Sequence, residues 1–283
     1  MSVFDSFQKK HDYLICVDSD GCVMDTMNCK HFNCFGPCMI KEWGLEKWQK
    51  EILERWNEVN LFTLTRGINR FKGLAKALKE IDGKYTKIIG VDALVYWADT
   101  APALSNDGVE KAAAQATDSD AKLILEKALS WSKAVNEAIV KLDESLKVPF
   151  ESAKEGLAAA HAFADVAMVS SANRDAVEEE WGKFGLLEYT DIVLAQDVGA
   201  KAACIAEMLK QGYDANKVLM VGDALGDSQA AEKNGVHYYP ILVNHEKASW
   251  DELITVGFDR LKAGNYTPYG EKKKNEFLKN LGG

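Results

Sequence analysis

The chain has 283 residues, 47% of them hydrophobic and 27% charged, which suits a packed core domain with a smaller companion. Its 43 acidic and 34 basic side chains give a formal net charge of −9, which argues against a nucleic-acid partner, because phosphate backbones call for a basic surface. No apolar run approaches the roughly 20 residues needed to cross a membrane, and Met1 to His11 is polar and mixed, so neither a membrane span nor a secretory signal is read here.

The first element is the apolar run Tyr13-Leu14-Ile15-Cys16-Val17, a buried strand by composition, and it ends in Asp18-Ser19-Asp20-Gly21. Beyond it, Cys22, Cys29, Cys34 and Cys38 cluster around His31. Their spacing lacks a CxxC knuckle and no second pair answers downstream, so they read as packed or free thiols and not as a zinc site. Six cysteines in all are compatible with a reducing cytosol, and a cytoplasmic protein is expected.

From about Met27 to His161 the chain is rich in Ala, Lys, Glu, Leu and Trp. Its spacing is helical, as in Leu123, Leu125, Leu129 and Ala134, Ala138, Leu142. Ile88-Ile89-Gly90-Val91 is the one strand-like run there, and it reads better as helix or loop. Trp43, Trp48 and Trp56 are expected in the core of this segment. Within it, Thr65 is positioned to cap a helix whose one side carries Arg66, Asn69, Arg70 and Gly73, with Ile68, Phe71, Ala75 and Leu78 opposite. Two arginines and an amide on one stripe are candidates to grip an anionic group of a substrate, against the plainer reading of a solvated face.

The rhythm then becomes regular. A strand at Val166 to Val169 is followed by Ser170-Ser171, and a helix is predicted near Arg174 to Phe184. A strand at Ile192 to Leu194 leads to a helix from about Lys201 to Lys210. Val218 to Val221 is a strand followed by Gly222-Asp223-Ala224-Leu225-Gly226-Asp227. A helix from about Asp227 to Asn234 and a strand at Val236 to Leu242 complete the series. Strands alternating with helices imply a parallel sheet covered on both faces. The tail from Asn265, with Lys272-Lys273-Lys274, reads as a solvated terminal helix.

Four acids fall where strands end. Asp18 and Asp20 are two apart, a spacing that would direct both to one side of a strand; a turn explains Asp-Ser-Asp-Gly equally well. Asp223 and Asp227 follow a second strand, and oxygen ligands without His or Cys suit Mg²⁺. Helix capping accounts for Asp227 as readily. Lys201 opens a helix, where the dipole disfavours a cation unless an anion stands in front of it. Ser170 directly follows the apolar run and is taken as the serine that ends the strand, with Ser171 beside it as the alternative and a further substrate-binding candidate.

Taken in order, Asp18-Ser19-Asp20-Gly21, Ser170, Lys201 and Gly222-Asp223…Asp227 resemble the four motifs of the haloacid dehalogenase-like hydrolase superfamily. Asp25-Thr26 is similar to its phosphatase branch. The resemblance covers roughly residues 11 to 27 and 162 to 243. It implies an α/β fold: a Rossmann-like parallel sheet core, residues 1–26 and 162–283, with an inserted helical cap domain, 27–161, that would close over the site and choose the substrate. It implies Asp18 as nucleophile and Asp20 as general acid and base, with Ser170 and Lys201 binding the phosphoryl group. Mg²⁺ would sit on Asp18, the Asp20 backbone carbonyl and Asp223, with Asp227 ligating through water or pairing with Lys201. The expected activity is Mg²⁺-dependent hydrolysis of a small phosphorylated metabolite through an aspartyl-phosphate. A phosphomutase of the same superfamily and a non-catalytic phosphate-binding regulator are the alternatives. Substrate and oligomeric state are not read from these residues.

Overall fold

Tyr13–Val17 forms β1, and the strands that flank it come from far along the chain. The computed structural model describes residues 3–283. Ala164–Val169 (β2), Ile192–Leu194 (β3), Val218–Gly222 (β4) and His237–Pro240 (β5) complete a parallel sheet in the order β3-β2-β1-β4-β5. Register pairs Ile15 with Val166 on one side and with Leu219 on the other. The central strands are buried on both faces, which is why they read as continuous apolar runs. The strand order reverses beside β1, and in such sheets ligands bind beyond the carboxyl ends at that point.

The described residues divide into two compact units, Met1–Met27 with Glu144–Gly283, and Asn28–Asp143. The sheet unit also holds helices α8 (Ala153–His161), α9 (Arg174–Lys183), α10 (Lys201–Leu209) and α11 (Leu225–Asn234), then α12 (Glu246–Glu252), α13 (Phe258–Lys262) and α14 (Tyr266–Asn280). Two short stretches of the sheet unit, one from each side of the other unit, run antiparallel. The Asp25 N–H donates to the Val148 carbonyl and the Phe150 N–H to the Val23 carbonyl, both at 2.8 Å, around a bridge between Met24 and Pro149.

The second boundary of the insertion therefore falls at 143/144, not at 161/162 as expected, and the first at 27/28, not at 26/27. Helix α8 is the cause. Ala153, Leu157 and Ala160 are buried in the sheet's own core, and Gly156 lies so close to the Trp250 ring that a Cβ there would collide with it. An Ala-, Lys- and Leu-rich segment announces a helix without saying which core receives it.

The other unit is helical: α1 (Met27–Lys30) leads into a π-turn, then α2 (Gly36–Trp43), α3 (Gln49–Leu61), α4 (Arg70–Ile81), α5 (Val91–Thr100), α6 (Asn106–Gln115) and α7 (Ser119–Val140). Trp56, Phe71 and Trp131 meet edge to face at its centre, with Trp43 and Trp48 partly buried around them. The buried apolar stripe of α7 is Ile124, Leu125, Ala128, Trp131 and Val135, and Leu123 is exposed. Ile88 to Val91 is not a strand: Gly90, with φ 77°, starts α5 against the Asp120 carbonyl. Among the described residues no helix is long and apolar enough to cross a membrane.

The terminal helix differs from expectation. On α14, Tyr266, Lys273 and Phe277 are buried, and the Lys273 ammonium pairs with Glu252 at 2.8 Å and Glu276 at 2.6 Å. A run of three lysines looks solvated in sequence, but helical geometry turns only the middle one inward, toward carboxylates 21 and three residues away.

Candidate active site

The turn after β1 is built from the backbone outward. The Asp18 N–H continues the ladder onto the Val221 carbonyl at 3.0 Å, and the Ser19 carbonyl accepts N–H bonds from Cys22, Val23 and Met24 at 2.9–3.2 Å. Gly21, at φ 84°, supplies the left-handed residue that closes the turn. Two indoles pin it: Trp181 donates to the Ser19 hydroxyl at 2.9 Å and Trp250 to the Cys22 carbonyl at 3.0 Å. The strand ends at Val17, so this turn, and not strand alternation, sets the relative directions of Asp18 and Asp20. Asp18 is buried. Asp20 is half-buried, and its carboxylate accepts the Thr26 hydroxyl.

At the end of β4, Asp223 and Asp227 are fully buried. The two oxygens of Asp227 divide their work. One accepts the Ala224 N–H at 3.1 Å, as a first-turn acid does, and the other accepts from Lys201 Nζ at 2.6 Å. Helix α11 begins at Leu225 with Ala224 as its cap. Asp227 is thus not the cap residue itself but a first-turn acid that accepts the cap's N–H while pairing with Lys201. Gly222 makes this possible, because a Cβ there would strike the Asp227 carboxylate. Lys201 is the first residue of α10, and the anions in front of it are Asp227 and Asp18, whose Oδ1 lies 2.7 Å from Nζ.

Asp18, Asp223 and Asp227 each bring one oxygen to within 4.8 Å of the others; among the described residues this is the group of acidic, His and Cys side chains placed to share a cation. Asp20, expected as a ligand only through its backbone carbonyl, is not one of these side chains. Lys201 thus pairs with two of three carboxyl groups buried close together. Burial accordingly raises the Asp18 carboxyl well above its usual range, Lys201 opposes, and Asp227 and Asp223 reinforce. Burial acts to lower Lys201, but Asp18 and Asp227 outweigh it and hold the ammonium protonated. Cys22 lies close enough to the same acids to be held as a thiol by burial and by their charge.

Ser170 directly follows the last residue of β2, Val169. It is buried, its N–H donates to the Leu194 carbonyl at 3.0 Å, and its Oγ accepts from Ala172 N–H at 3.1 Å. Ser171 is exposed.

The stripe of Arg66, Asn69 and Arg70 does not form. Helix α4 begins at Arg70, and its cap is Asn69, whose side chain accepts the Phe71 N–H at 2.9 Å; Thr65 does not cap it. Gly67, at φ 70°, breaks the backbone between them, which leaves Arg66 in the preceding turn, buried, donating to the Leu61 carbonyl at 2.8 Å. Arg70 is occupied within its own unit. Its guanidinium donates to Asn136 Oδ1 at 2.7 Å and Ser132 Oγ at 3.1 Å, and lies 5.1 Å over the Phe35 ring. The apolar side is as expected for Phe71, Ala75 and Leu78. Arg70→Ala is expected to destabilise the chain by about 1.5–3 kcal/mol, the worth of hydrogen bonds from a charged donor. A double-mutant cycle with Asn136→Ala, followed by urea unfolding, should show coupling; additive losses would remove the α4–α7 tie.

The likeness of Asp25-Thr26 to the phosphatase branch assigns Thr26 no role, whereas Trp181 and Trp250 reach the turn from 162 and 228 residues away with no local signal in the sequence.

A model of the family described as haloacid dehalogenase-like hydrolase matches residues 98–241. The matched segment includes Ser170, Lys201, Asp223 and Asp227, while Asp18 and Asp20 precede it. No curated protein sequence matches. Among solved structures, the chain is similar to a putative phosphoglycolate phosphatase from Lactobacillus delbrueckii subsp. bulgaricus, at 13% identity and a TM-score of 0.51. That likeness covers 81% of this chain and 85% of the other. A haloacid dehalogenase-like family protein from Streptococcus pneumoniae matches at 9% identity and 0.49, covering 84% and 90%. CbbY from Rhodobacter sphaeroides, in complex with phosphate, matches at 15% and 0.45, covering 81% and 86%.

Proposed function

The chain belongs to the haloacid dehalogenase-like hydrolase family, and on that premise we propose that it is a Mg²⁺-dependent phosphatase acting on a small phosphate ester. The observation that carries this reading is the buried cluster itself: Asp18, held 2.7 Å from Lys201, brings a carboxylate oxygen within 4.8 Å of those of Asp223 and Asp227. Three hard oxygens within 4.8 Å fit a divalent cation of the Mg²⁺ kind. Bound by Asp18, Asp223 and Asp227, Mg²⁺ would balance the cluster, keep Asp18 ionised and draw charge from the phosphoryl oxygens.

The remaining chemistry belongs to the side chains. Asp18 attacks phosphorus, the ester P–O bond breaks, and an aspartyl-phosphate forms. Asp20 gives its proton to the departing oxygen; the bond from Thr26 fixes the carboxyl group that must do so. Water then attacks the intermediate, Asp20 takes its proton, and Asp18 and inorganic phosphate are released. Lys201 compensates charge on Asp18 and on the transferred group, and the Ser170 O–H donates to a phosphoryl oxygen.

Hydrolysis of p-nitrophenyl phosphate by the metal-free chain tests the proposal. Activity should be absent in EDTA and return with Mg²⁺. Asp223→Asn should weaken Mg²⁺ on the order of tenfold or more. Asp227→Asn should weaken it less, because its two oxygens already serve Lys201 and Ala224. Full activity in EDTA would reject the metal, and no turnover under any metal would leave a phosphate binder.

A further inference from the structure

The strand beside the Asp223 loop carries a tyrosine whose hydroxyl has a specific task. Tyr238, on β5, is buried, and its ring packs edge-on against Phe277 of α14 with centroids 5.7 Å apart. Phenylalanine would satisfy that packing. The hydroxyl instead donates to the Gly222 carbonyl at 3.0 Å. That carbonyl already accepts the Ile241 N–H at 2.9 Å, so the sheet ladder does not need the second bond. Gly222 is also the residue with no room for a Cβ, because the Asp227 carboxylate lies against it. The peptide that carries Asp223 is thus gripped at its carbonyl by two donors while its α-carbon is covered by a second acid.

We propose that Tyr238 is a positioning residue for Asp223, fixing the Gly222–Asp223 peptide so that the carboxylate cluster holds a divalent cation tightly. This rests on the reading of the cluster as a Mg²⁺ site. The hydroxyl acts only as a donor: burial, reinforced by the charges of Asp227 and Asp223, keeps it protonated. Its partner is a backbone carbonyl one residue before the ligand, so its loss should loosen the ligand's placement while leaving the ligand in the chain.

Isothermal titration of the metal-free, full-length protein with MgCl₂ decides the matter, with melting temperatures read on the same samples. Tyr238→Phe should raise the Mg²⁺ dissociation constant by about three- to tenfold, near the low end of what losing an outer partner costs. Tyr266→Phe is the control. It deletes an equally buried hydroxyl that donates at 3.0 Å to the carbonyl of the same strand residue, Tyr238, and it should leave Mg²⁺ binding unchanged. Equal affinity in Tyr238→Phe and wild type, or equal weakening in both variants, overturns the proposal. So does a Tyr238→Phe chain that fails to fold, since a hydroxyl that only steadies Asp223 is dispensable to the sheet. Asp223→Asn in the same series separates the premise: if wild type and Asp223→Asn both ignore Mg²⁺, it is the cation site that fails.

Discussion

Asp18→Asn should abolish turnover while making the metal-free protein more stable. The amide is nearly isosteric but cannot attack phosphorus, and loss of a nucleophile of this kind lowers kcat on the order of 10⁴-fold or more. The gain in stability follows from the burial of Asp18 beside Asp227 and Asp223, which outweighs its pairing with Lys201. The sign is fixed by Asp18, whose carboxyl is raised above its ordinary 3.8 in the folded chain. Between that value and its raised one the folded state binds more protons than the unfolded state, so stability falls as pH rises through the window and stays lost above it. Asparagine has no proton to lose. The variant's advantage in melting temperature should therefore grow as pH rises from about 4, and shrink when Mg²⁺ is added to both proteins. Retention of more than a trace of activity, with deamidation excluded, removes Asp18 from its role; a variant less stable than wild type at neutral pH would refute the charge argument.

Lys201→Met should fail on both counts. The ammonium, 15% exposed, lies 2.6 and 2.7 Å from Asp227 and Asp18, and removing it leaves their carboxylates buried without that partner. Breaking a buried pair from one side costs about 3–5 kcal/mol, and loss of its compensation of the phosphoryl group about 10³-fold in kcat/KM. Adding Asp227→Asn to the Lys201→Met background should restore part of the stability and none of the activity. Urea unfolding and p-nitrophenyl phosphate kinetics read the two effects apart. A loss of stability below about 0.5 kcal/mol, the size of an ordinary surface change, would mean that the pair contributes little to the fold.

The residues at the carboxyl edge of the sheet were legible for a local reason. Asp18, Ser170 and Asp223 each follow an apolar run long enough to be a buried strand, and Lys201 opens a helix where a cation is out of place without an anion. What was not legible depends on partners distant in sequence. Arg70 and Arg66 share a plausible helical face until Gly67 turns left-handed and Asn69 takes the cap from Thr65. Arg70 then finds Ser132 and Asn136, more than sixty residues on. Helix α8 has the composition of the insertion and the packing of the sheet, because composition specifies burial but not the neighbour. Lys273 looks like its exposed companions until Glu252 and Glu276 receive it. Trp181 and Trp250 steady the turn after β1 through bonds that no spacing rule announces.

The paired stretches around Met24 and Pro149 bear on how the chain comes together in time. β1 emerges first, yet both strands that flank it lie beyond the insertion; Tyr13 aligns with Ala164, about 150 residues later. Closing a loop of that length costs about 2 kcal/mol more entropy than an ordinary crossover of some fifteen residues. The hydrogen bonds from Asp25 to Val148 and from Phe150 to Val23 tie the loop off at its base, so an insertion that has already condensed counts as a short connection. During synthesis the helical segment is complete well before β4, and until Val218–Gly222 arrives β1 has an open edge. A nascent chain halted between the two stages therefore exposes an apolar, unpaired strand, the condition under which edge-to-edge aggregation competes with folding.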